Sequence, residues 1–416
     1  MSRKDLNRQI DERIKISGAD NSYRTDLETR KGMRPESRRV LILGVTCVIL
    51  IGLAMILPLY MFEHSMVKMT PAVFFDEVSD NINNLVLMLT GGSTSFETRF
   101  MGVVVCAVGG AALGLCGSTY QGAFNNPLAA PKTLGVMSGG ALGALVWVLV
   151  LQNYVPTMHI ENGVTTASDI ANWVNSLDPW SWLVVNYGQA LCTVVGCFVA
   201  VAIVVGLTSL LGSGRLSNII VIVFGQVFST GVTAVITFAR YYYSQNGGDD
   251  MASQLAQIEN YTMIGTYYFR DFFIIVIPIV ICMVIVLALR NRLTLLSFGD
   301  DVANTMGINV NRTRYLMIAV CTLMTGLAIS FCGHVAFLGF ISAHISRRIV
   351  GPDFRFLLPA SIFVGGGFIT IVQWICESGL PFTSPYSAGP VCSILGACLF
   401  VFIILRQRGE TSGAWR

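Results

Sequence analysis

The sequence predicts an all-α, polytopic helix bundle embedded in a membrane, and three observations carry that expectation. Of 416 residues, 53% are hydrophobic and 12% charged, with a mean hydropathy of +0.64. Apolar runs long enough to cross a hydrocarbon core of roughly 30 Å, at about 1.5 Å per residue, recur along the chain. Nothing shows the alternating segments of about ten residues that build an outer-membrane barrel.

Taken in order, the runs fall at 40–61, 99–122, 132–152, 183–211, 218–243, 271–290, 312–332, 356–376 and 388–406, with a shorter one at 334–350. That makes about ten transmembrane helices if the short run crosses or half-crosses. Residues 1–37 are polar and charged and lack the pattern of a signal peptide, so they read as a solvated tail. The stretch from Asn153 to Pro179 reads as an outer loop whose Trp173 and Trp180 suit interfacial anchors. The domain division is therefore a cytoplasmic tail at 1–37, a transmembrane domain at 38–408 and a short cytoplasmic tail at 409–416.

Basic residues set the orientation. With the N-terminus inside, Arg38, Arg39, Lys132, Arg215, Arg290, Arg292, Arg312, Arg314, Arg347, Arg348, Arg355, Arg406 and Arg408 fall on the cytoplasmic side, against Lys68, Arg99, Arg240 and Arg270 outside. This positive-inside asymmetry requires an even number of crossings and puts both termini in the cytoplasm. The net charge of +3 averages the two sides and says little by itself.

One segment stands apart from the apolar background. GSTYQGAFNNPLAAPKTLGVMSGG, Gly117 to Gly140, is a polar turn broken by Pro127 and Pro131 and rich in small residues. Lipid cannot satisfy backbone N–H and C=O groups, so non-helical backbone near a bilayer must be buried in protein or line a watery cavity. The segment therefore marks a pathway.

Absences narrow the chemistry. The eleven cysteines lie in apolar runs without metal-ligand spacing, and His64, His159, His334 and His344 are scattered, so no metal site is expected. No carboxylate lies deep in a span, Glu377 being near an outer end, which disfavours coupling to an ion gradient. No GxxxxGK[ST] loop occurs, so the chain has no phosphate cradle of its own. A pathway without an energy source points to an external one.

Four ordered segments carry a resemblance: YQGAFNNPLAAPKTLGVMSGGALGA from Tyr120, FGDDVANTMGINVNRTR from Phe298, FLGFISAHISRRIVGPDFRFLLP from Phe337, and SAGPVCSILGACLFVFIILR from Ser387. Together they resemble the permease subunits of ABC importers for iron-siderophores, haem and vitamin B12, over roughly residues 40–408. The resemblance implies a type II ABC importer permease in a bacterial cytoplasmic membrane. Its implied partners are a second permease subunit, alike or different, two cytoplasmic ATPases that bind ATP and Mg, and an extracytoplasmic substrate-binding protein. No nucleic acid, no resident cofactor and no catalytic residue are implied, because hydrolysis belongs to the ATPases. A ferric siderophore is the expected cargo, with haem or cobalamin next. A gradient-driven carrier would need a titratable residue in the cavity, and a membrane-embedded enzyme a clustered acid, base or metal set.

The resemblance also suggests site residues. Asn126 and Leu128 take the positions of the cytoplasmic gate, where a short polar group beside an apolar plug can close a pore by dewetting. Gln226, Ser229, Thr230 and Thr233 recur at helical spacing and are candidates to line the pathway, or to bond helix to helix. Gly299, Ala303 and Gly307 match the loop that meets the ATPase. There Asp300 or Asp301 is expected to cap a short helix with Val302, Ala303 and Met306 on its apolar face, and Gly307 to end it. Arg99, at the outer start of the second helix, matches an arginine that receives an acidic residue of the binding protein. The chain departs from the pattern at Gly102, at Ala343 and in its longer loop after the third helix. Its cavity chemistry reads as neutral and rich in small residues.

Overall fold

The structure is a computed structural model that describes residues 95–150, 176–211, 218–246, 255, 258, 269–377 and 388–407. The expected span at 40–61 and both terminal tails lie outside the described residues. The described elements are helices α1 (Ser95–Ala123), α2 (Val136–Leu149), α3 (Pro179–Leu211), α4 (Asn218–Gln245), α5 (Phe269–Ala288), α6 (Arg290–Leu296), α7 (Asp300–Thr305), α8 (Val310–Cys332), α9 (Leu338–Val350), α10 (Phe354–Glu377) and α11 (Ala388–Gln407).

Helix α1 is the axis of the bundle. It packs against α10, α8, α9 and α5, while α2 packs against α3 and α4. Small residues set these distances. A Cβ on Gly117 of α1 would collide with the Gly339 carbonyl of α9, and one on Gly139 of α2 with the Gly196 carbonyl of α3. Helices in lipid gain no hydrophobic drive from pairing, so close backbone approach of this kind is what lets them hold together. The outward faces of α3, α4 and α5 stay apolar, with Val195, Phe198, Val227, Phe238, Ile281 and Val284 exposed. Five described helices are long and apolar enough to cross a membrane, six if α5 and α6 form one bent span.

One boundary departs from the sequence reading, and one short helix at the end of a run was not foreseen. The run at 132–152 becomes a helix only at Val136, because residues 131–134 make one turn that ends at Gly135 (φ 76°). The run at 271–290 breaks at Leu289, and α6 leaves α5 at 55°. Apolar periodicity alone does not reveal such a break.

Candidate functional site: turn, knob and cavity

The pathway segment is a chain of capped turns. At the end of α1, Asn126 N–H donates to the Gln121 carbonyl (3.1 Å) and Asn125 N–H to that of Gly122 (3.3 Å), with Asn125 left-handed at φ 45°. That pattern closes a helix with asparagine standing where glycine is usual. Pro127 then sits second in a β-turn closed by Ala129 N–H to the Asn126 carbonyl (3.1 Å). The Asn126 side-chain oxygen accepts the Leu128 N–H at 2.9 Å, which fixes the two gate candidates relative to each other. Leu128 is 51% exposed. A leucine held out of the core by its own neighbour is available to plug something.

The knob differs from the sequence reading in its cap. Neither Asp300 nor Asp301 caps α7; its N-cap is Gly299, at φ 108°, and no side chain bonds there. Asp300 is occupied elsewhere: its carboxylate receives Arg314 Nη2 at 2.7 Å and Nη1 at 3.3 Å. The end of α7 matches expectation, since Gly307 (φ 81°) donates to the Asn304 carbonyl (3.0 Å) and Ile308 N–H to that of Ala303 (3.0 Å). Ala303 is fully buried with Leu296 and Val310, whereas Val302, Met306 and Phe298 are exposed. Asp301 is exposed as well.

Sequence reasoning missed Arg314 as a connector. Its side chain is 3% exposed, and Nε donates to the Ala123 carbonyl at 2.9 Å. One guanidinium thus ties the knob to the last residue of α1, immediately before the turn that holds Asn126 and Leu128. Only a planar group with several fixed donors can serve both ends at once.

All four candidate pathway residues border one cavity of about 400 Å³, between α2, α4, the start of α11 and the turn at 334–336. Ser229 is buried and donates to the Lys132 carbonyl at 3.4 Å, so it also fastens α4 to the turn. Gln226, Thr230 and Thr233 are exposed on the open face of α4. Two titratable residues not foreseen there, Lys132 and His334, also line the wall. The neutral cavity expected from sequence is therefore corrected: Lys132, counted there with the cytoplasmic charges, brings an ammonium into it. Its only hint was being the lone charge in a turn of small residues. Arg99 is the fifth residue of α1, but its side chain falls outside the described residues. Among the described residues no His, Cys, Asp and Glu cluster suits a metal ion.

The FecCD transport family model matches residues 40–406. The chain belongs to that family. Within the FecCD family it is 28% identical over 313 residues to the cobalamin import system permease BtuC of Halobacterium salinarum, covering 74% of this chain and 72% of the relative. It is 26% identical over 317 residues to the hemin transport permease HmuU of Yersinia pestis (76% and 84%) and 25% over 308 to the iron-uptake permease FeuB of Bacillus subtilis (73% and 79%). In fold this FecCD-family chain resembles a solved inward-facing metal-chelate type ABC transporter, with a TM-score of 0.64, 21% identity, and 88% of this chain and 99% of the other covered. It is an integral membrane permease.

Proposed function

We propose that the chain is the membrane-spanning subunit of an ATP-driven importer of an iron chelate, with a ferric siderophore as cargo. Both termini lie in the cytoplasm of a bacterial cell. The observation that carries this reading is the family match across nearly the whole chain together with a knob, α7, whose Phe298, Val302 and Met306 stay exposed around a buried Ala303. An apolar projection on a polar turn suits the groove of a cytoplasmic ATPase. Arg99 is the proposed contact for an acidic residue of the binding protein outside.

The mechanism is alternating access. A loaded binding protein docks outside, ATP binding closes the two ATPases, and the knobs move with them. Through Arg314 that motion reaches the end of α1, where Asn126 and Leu128 open or close the inner exit. Gln226, Ser229, Thr230 and Thr233 line the route with groups that bond weakly and release cargo. The chain itself hydrolyses nothing; ATP and Mg stay on its partners.

A gradient-driven carrier is the rival, and Lys132 and His334 give it the titratable groups the sequence reading found lacking. The family match favours the importer. Purifying the tagged chain in mild detergent from its own cells separates the two. An ATPase subunit in equal amount supports the importer, and a chain that emerges alone under conditions that preserve its fold contradicts it.

A further inference from the structure

We propose that Lys132 makes the cavity selective for anionic cargo, so that the chelate carried bears net negative charge on carboxylate or catecholate oxygens. This rests on the importer reading and deepens it by naming the class of substrate. Cobalamin and neutral hydroxamate chelates fall outside that class.

Three observations converge on this turn. Lys132 Nζ stands 5.1 Å from the centre of the Phe337 ring, and among the described residues no carboxylate lines the cavity beside it. A ring face attracts the ammonium but accepts none of its three N–H bonds in the way an oxygen would. Phe337 holds that place at φ 64°, a conformation unusual for a bulky residue and kept only where its surroundings impose it. Apart from His334, the other polar groups of the wall are the Gln226 amide and neutral hydroxyls, none of which opposes an anionic charge; Thr230 and Ser393 direct their own protons to the Gln226 and Gly389 carbonyls. His334 borders the same space. An ammonium half out of water costs free energy unless a counter-charge arrives, and here the visiting cargo supplies it. The cavity volume lies in the range of small-ligand sites.

The first test needs only the folded permease. In a background without reactive native cysteines, Thr230→Cys places a reporter thiol in the cavity wall. Two methanethiosulfonates of similar size, one carrying a sulfonate and one a trimethylammonium, then compete for it. The ratio of sulfonate to trimethylammonium rates should fall about tenfold in Lys132→Met and hold in Lys132→Arg. An equal ratio in all three overturns the anion site, whatever the chain transports.

The second test uses vesicles holding the whole transporter with its binding protein. Uptake of iron-55 citrate should fall at least fivefold in Lys132→Met and recover in Lys132→Arg. Uptake of neutral ferrichrome with no uptake of the citrate complex overturns the substrate class. A preserved charge ratio with no ATP-dependent uptake of any chelate strikes the importer reading instead, and the anion site stands.

Discussion

Arg314 is the place where the proposed coupling can be cut with least collateral change. Removing it by Arg314→Met takes away two bonds to Asp300 and one to the Ala123 carbonyl while keeping an unbranched stem. The Asp300 side chain is 53% exposed, so water takes over its charge and the lost pair is worth about 1 kcal/mol or less. The Ala123 carbonyl has no such recourse where the arginine lies buried, and an unmet buried acceptor costs about 1–3 kcal/mol. The sum is roughly 1–4 kcal/mol. Asp300→Ala runs the other way: it strands a guanidinium that is 3% exposed, at a cost of about 2–4 kcal/mol once the half-exposed setting is discounted. The double substitution should then cost little more than Arg314→Met alone, because the residues share one interaction. The assay is thermal unfolding of the purified complex, joined to chelate transported per ATP hydrolysed in liposomes. Both single variants should assemble with their ATPases yet move at least fivefold less cargo per ATP. Additive costs, or a wild-type ratio of transport to hydrolysis in an assembled complex, would show that Arg314 does not couple the knob to α1.

Other consequences follow from the same geometry. Leu128→Ser should make the resting permease leak small solutes, and single cysteines at 126 and 128 should label differently from the cytoplasmic side with and without trapped ATP; a tight variant with equal labelling removes the gate from this turn. Gly307→Trp has open space around it, but φ 81° strains any side chain there, so the complex should insert normally and hydrolyse ATP without matching uptake; intact coupling counts against the knob. Gly139→Ala drives a Cβ into α3 and should lower stability by about 1–3 kcal/mol, whereas Gly206→Ala meets nothing and should be neutral or gain up to about 1 kcal/mol, both read by thermal unfolding. Arg99→Glu should weaken docking of the binding protein and flatten its salt dependence, and an unchanged affinity across a salt series removes that contact.

The helices were legible in the sequence because a span must be apolar for its whole length, and α1, α3, α4, α8 and α10 are. The knob and the turn were legible through Gly307, Pro127 and the family motifs around them. What stayed hidden were relations between distant positions. Asp300 looked like a cap because acids often start helices, yet a partner fourteen residues on, Arg314, takes its carboxylate. Lys132 looked like an ordinary cytoplasmic charge, and only the fold of the turn against α4 and Phe337 turns it into the cavity. Periodicity along one chain reports which face is apolar, and says nothing of what stands opposite.

The source of energy for uptake separates an ATP-driven importer from a gradient-driven carrier. Inverted control over it comes from liposomes holding the purified permease with its co-purified ATPase, loaded with ATP or a non-hydrolysable analogue, with loaded binding protein outside and an imposed proton or sodium gradient as the alternative drive. Iron-chelate accumulation that needs enclosed hydrolysable ATP and ignores both gradients is the expected result. Accumulation driven by a gradient in vesicles without ATP would make the protein a secondary carrier instead.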